Sequence, residues 1–107
     1  MHPEHPELTT KFVWDRVKAQ INLRKHGISF ETASLVFDDP NALSRQDRIE
    51  NSEERWQTIG MVHGIAILVV AHTEPILVCD RHEEYIRIIS ARPATKKERG
   101  IYVNGYF

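Results

Sequence analysis

The chain has one cysteine, Cys79, so no disulfide can form within it and the fold must rest on packing and hydrogen bonding. A single thiol suits a reducing compartment. Long apolar runs are also missing: the longest, Ile65 to Ala71, falls far short of the roughly 20 residues that span a bilayer and reads as a buried strand. The start, MHPEHPELT, lacks the basic opening and apolar stretch of a secretory signal. The expectation is a cytoplasmic protein without membrane association. Charge of one sign is scarce too, because a net charge of −1 is not that of a general nucleic-acid binder. There is no G-x-S-x-G, no P-loop and no G-x-G-x-x-G, which removes the serine hydrolase, nucleotide and dinucleotide readings. Six histidines are present, but without H-E-x-x-H or paired-cysteine spacing. Neither a metal nor another cofactor is expected.

What is there supports one domain, since 107 residues can bury one modest core but not two. Residues 1–10, with two prolines and two histidines, read as a flexible leader, and residues 11–107 as the domain. A short strand, KFVWD, precedes a helix RVKAQINLRKH, with Asp15 as its N-cap and Gly27 as its left-handed stop. Ser29 caps a second short helix, FETASLVF, which DDP ends. Strands follow: NALSRQ, ERWQTIGMV, a turn at His63–Gly64, and IAILVVAHT. The stretch EPILVCDRHE reads as an extended or ribbon connection, and YIRIISA as the last strand. Thr95 and Glu98 then have the spacing of a capping box that opens a C-terminal helix. The order predicts a compact α+β domain, with a mostly antiparallel sheet packed by N-terminal helices and a C-terminal helix.

The charge is unevenly placed. Lys11 to His26 carries five basic residues against Asp15, Glu84 to Arg99 five against two acids, and Glu31 to Glu54 seven acids against Arg45 and Arg48. If the first and last helices meet, the two basic segments form one patch. On the first helix Lys18, Asn22 and Lys25 share a face, with Val17 and Ile21 as the adjacent apolar edge. Arg87 and Arg92 are five residues apart, so strict alternation points them to opposite faces unless a bulge or an early strand end intervenes.

These segments carry a resemblance. FVWDRVKAQINLRKHGISFETASLVFDDP, EERWQTIG and RIISARPATKKERGIY are similar to the BrnT family of type II toxin–antitoxin ribonucleases, from about Lys11 to Tyr102. The resemblance implies a RelE-like fold and RNA cleavage without a metal. It also implies an antitoxin partner of the ribbon-helix-helix type, BrnA-like, through which alone operator DNA is bound. Within it, Arg92, Arg87 and Arg55 are the candidates to hold phosphate, because a guanidinium stays charged and pairs with phosphate oxygens two at a time. His26, Glu54 and Glu98 are the candidate acid–base groups. Lys18, Asn22 and Lys25 would bind the RNA backbone. The connection Glu74 to Tyr85 is longer than the short turn typical of the family. The rival reading is a module that binds nucleic acid or protein without turnover.

Overall fold

The structure, a computed structural model, describes residues 8–107. The leader's histidines, His2 and His5, fall outside them. The first strand, β1, runs Thr9–Val13, so it takes in the last two residues read as leader. Helix α1, Arg16–His26, starts where Asp15 accepts a hydrogen bond from the Lys18 amide and ends at Gly27, whose φ of 70° only glycine adopts without steric cost. Helix α2, Phe30–Ser34, is capped by the Ser29 hydroxyl and continues as a 3₁₀ turn over Leu35–Asp38. Five strands follow: β2 Leu43–Glu50, β3 Glu53–Val62, β4 Ala66–Thr73, β5 Ile76–Val78 and β6 Glu83–Pro93. Helix α3, Lys96–Asn104, begins in a complete capping box between Thr95 and Glu98.

The strands form one sheet in the order β1-β6-β4-β3-β2, with β5 paired to the start of β6. Among the described residues every pairing is antiparallel except that of β1 with β6. The β2–β3 and β3–β4 hairpins each turn through two residues of positive φ, Asn51–Ser52 and His63–Gly64, the geometry that matches the twist of the flanking strands. The long connection before β6 is a ribbon: Ile76, Leu77 and Val78 pair with Tyr85, Glu84 and Glu83.

The two sheet faces bury different cores. On one, Phe30, Ala33 and Val36 pack on Val62, Leu68, Val70, Ile88 and Ala91. On the other, Ile101 and Tyr102 of α3 cover Ile59, Val69 and Ala94. Gly60 is required beneath the 3₁₀ turn, where an added Cβ would lie 2.8 Å from the Val36 Cβ. Because α1 packs with the first core and α3 with the second, the two basic helices lie on opposite faces. They do not build a joint patch. Val17 and Ile21 also depart from expectation: both are more than half exposed, at 59% and 51%, on the side of α1 away from the sheet.

Candidate functional site

Helix α3 covers only one end of its sheet face. The strand register shows what the open part presents. One row across the sheet runs Leu43, Ile59, Val69, Arg92, and the next Arg45, Gln57, Ala71, Ser90. A third contains Arg48, Arg55 and Thr73, and reaches β6 where the Arg87 amide donates to Thr73 Oγ1 at 3.1 Å. Five arginines therefore share one face.

Two bulges make this possible. The β4–β6 ladder pairs Ala71 with Ser90 but His72 with Ile88, so Ile89 is an extra residue. The β2–β3 ladder pairs Gln46 with Trp56 but Arg48 with Arg55, so Asp47 is extra. Each bulge resets the two-residue alternation. Arg87 and Arg92 come to the same side through the first, Arg45 and Arg48 through the second. Both bulges sit between the same two rows, on strands that flank β3 and β4.

The arginines are held by few acids. Glu53 Oε1 accepts from Arg87 Nη2 at 2.6 Å and lies 3.4 Å from Arg55 Nη2. Arg55 is the more enclosed of the two, and its buried Nε has no partner among the described residues. Arg92 makes a two-pronged pair with Glu98, 2.7 Å to Oε1 and 2.8 Å to Oε2. This pairing and its charge raise the Arg92 pKa. The Arg92 hydrogen bond is also the main reason that Glu98 is lowered to about 2, with the Thr95 amide adding to it against the effect of burial. A carboxyl group so acidic is a poor general base near neutrality. Its place is structural, in the capping box and as the counter-ion that orients Arg92.

The other candidate acid–base groups lie elsewhere. Glu54 points to the opposite sheet face, where its Oε1 accepts from Gln46 Nε2 at 2.8 Å; the acid among the arginines is its neighbour, Glu53. His26 closes α1, on the far side of the sheet from the arginines. The candidate RNA-binding residues of α1 also separate. Asn22 is 5% exposed, and its amide is used at both ends: Nδ2 donates to the Ile28 carbonyl and Oδ1 accepts from the Ala91 amide, each at 3.0 Å. It ties α1 to the edge of β6 beyond the end of β1 and is not free for a ligand. Lys18 shares a hollow of about 240 Å³ with Asp15, Arg87, Ile88 and Ile89. Lys25 is exposed in the last turn of α1.

Arg45 and Arg48 were not among the candidates. The Arg45 guanidinium lies 4.5 Å from the centre of the Phe107 ring and donates to Gln57 Oε1 from Nε and Nη2 at 3.3 Å each. Arg48 Nε pairs with Glu50 at 2.9 Å. The sequence signal was only their count within an acidic stretch, which masked them. Among the described residues no three of His, Cys, Asp and Glu converge as metal ligands would, and no helix is long and apolar enough to cross a membrane.

This geometry has relatives. A family profile described as "Ribonuclease toxin, BrnT, of type II toxin-antitoxin system" matches residues 14–98. The fold is similar to the crystal structure of the Brucella abortus ribonuclease toxin, BrnT, with a TM-score of 0.60 and 23% identity, over 82% of this chain and 99% of that one. No curated protein matches the sequence.

Proposed function

The chain belongs to the BrnT family of ribonuclease toxins of type II toxin–antitoxin systems, and from that membership we propose that it cleaves RNA on the arginine-lined half of its sheet. A toxin of this type has RNA as its target and an antitoxin as its partner. The observation that carries the assignment to this face is the pair of bulges, which gather Arg87, Arg92, Arg55, Arg45 and Arg48 where a single strand can lie across them.

Cleavage without a metal needs the ribose 2′-hydroxyl in line with the adjacent phosphorus and stabilisation of the charge that grows on the phosphate oxygens. Arg87 and Arg55 supply that charge from two neighbouring positions, and Glu53 holds both guanidiniums in place. A phosphate that displaces Glu53 exchanges one charge-assisted pairing for another with little loss. Arg92 stands at the rim beside α3, oriented by Glu98, and Lys18 approaches Arg87 from the edge of β6. Such a site acts in the cytoplasm, where its RNA is. The antitoxin is of the ribbon-helix-helix, BrnA-like type and carries the operator contacts, since a toxin of net charge −1 has little hold on duplex DNA by itself.

The test is RNA cleavage by the purified protein in excess EDTA. Arg87→Ala and Arg92→Ala should each lower the rate on the order of 10²-fold or more with a cooperative melt retained, and Arg87→Lys should recover only part, having lost the planar fork. Activity abolished by EDTA and restored by a divalent ion rejects the metal-free mechanism. RNA bound but left intact by the wild type favours the binding module.

A further inference from the structure

Building on the reading of this face as an RNA-cleaving surface, we propose that its β2 end is a nucleobase subsite, in which Arg45, Gln57 and Phe107 receive one unpaired base of the bound single strand.

Phe107 is the first sign. Its ring belongs to neither hydrophobic cluster and remains 40% exposed, so core packing does not account for its position. One side of the ring is instead occupied by the Arg45 guanidinium at 4.5 Å. A flat cation stacked on an aromatic ring is a surface on which bases of any kind stack, whereas the ring itself has nothing to offer a phosphate. Gln57 is the second sign. Its Oε1 takes both donors of Arg45 at 3.3 Å, longer than the usual 2.9–3.0 Å of such bonds and hence easily exchanged. Among the described residues the NH₂ of Gln57 has no acceptor, so it can bond the edge of a stacked base.

Placement joins the corner to the cleavage centre. Arg45 and Gln57 continue along their row to Ala71 and Ser90, two small side chains that leave the floor between the corner and β6 clear. Three strand spacings separate the ends of the row, about 14 Å. An extended strand crosses that gap in a few nucleotides. Arg48 and Arg55 flank the path from the adjoining row. A base held at Arg45 and Phe107 would set which phosphate lies at Arg87, so this corner selects the cleaved bond.

The experiment is an anisotropy titration of the full chain with a short labelled single-stranded RNA. A parallel set of the same oligonucleotide lacks one base at each position in turn, and cleavage is mapped in parallel. Phe107→Ala should weaken binding on the order of 10-fold, the scale of one lost base stack. Removing the base at one position near the cleaved bond should cost the wild type a similar factor and the variant almost nothing further, because the two losses remove the same contact. Phe107→Trp should restore that position dependence, which sets aside a folding defect. Arg45→Lys should keep the salt dependence and lose much of the position dependence. A Phe107→Ala profile parallel to that of the wild type, or a loss spread evenly over all positions, overturns the subsite and leaves the ribonuclease reading standing. Binding with the expected profile but without cleavage overturns the ribonuclease reading and keeps the subsite. A wild type that does not bind the RNA overturns both.

Discussion

Glu98 is the residue whose two duties are most closely joined. One carboxylate accepts the Thr95 amide at 2.9 Å and both prongs of Arg92, so the start of α3 and the aim of the arginine depend on the same ionised group. Its folded pKa of about 2 lies below the ordinary 4.5. The stability it contributes is therefore fully present above pH 4.5 and is lost as the pH falls from there toward 2. Glu98→Gln should melt below wild type at neutral pH, and the gap should close across that acid window. Melting curves at stepped pH check this; a gap that stays constant to pH 2 would mean that the charge of Glu98 is not what stabilises the helix start. By contrast, the buried His72 is kept neutral. Burial lowers its pKa, its Nδ1–H donates to the Thr73 carbonyl at 2.8 Å, and Nε2 accepts from the Thr58 hydroxyl at 2.7 Å.

Between elements, the joint that matters is α1 against β6. Strand β1 pairs with β6 only as far as Arg87, and beyond it the edge amide of Ala91 is satisfied by the side chain of Asn22. Asn22→Ala would leave that amide and the Ile28 carbonyl buried without partners, which costs about 2 kcal/mol or more. The melting temperature should drop by about 10 °C, while RNA cleavage per folded molecule stays near wild type. A loss of RNA binding with an unchanged melt would return Asn22 to the ligand. The same joint shows what the sequence could and could not disclose. The caps at Asp15, Ser29 and Thr95, the stop at Gly27 and the turn at His63–Gly64 were legible because each is decided within a few residues of chain. The bulges were not, since neither Asp47 nor Ile89 differs in type from an ordinary strand residue, and register depends on the partner strand. From that it follows that Arg45 and Arg48 were passed over, whereas Glu54 was chosen against plain alternation along β3, which puts Glu53 on the face of Arg55, and Asn22 was taken as an RNA contact because nothing local discloses the distant Ala91 amide it meets.

At the scale of the whole molecule, a net charge of −1 coexists with a face of five arginines against Glu50, Glu53 and Glu98. Because four of those guanidiniums, Arg48, Arg55, Arg87 and Arg92, are engaged with carboxylates, an RNA bound on this face would have to compete for them, and only part of the positive charge would count toward binding. With about three phosphates neutralised, log K for a single strand should fall with log salt at a slope of about −2. Anisotropy titrations at several salt concentrations measure the slope; a value near zero would remove the arginine face from RNA binding. The parallel pairing of β1 with β6 bears on when this face comes into being. Thr9 to Val13 find their partners only at Glu83 to Arg87, so a chain emerging from the ribosome holds its first strand idle until nearly all the rest has been made. Arg87 and Arg92 arrive with that last strand. The arginine face is therefore complete only once that last strand has left the ribosome, and a chain cut short before Glu83 has neither a partner for its first strand nor two of its five arginines.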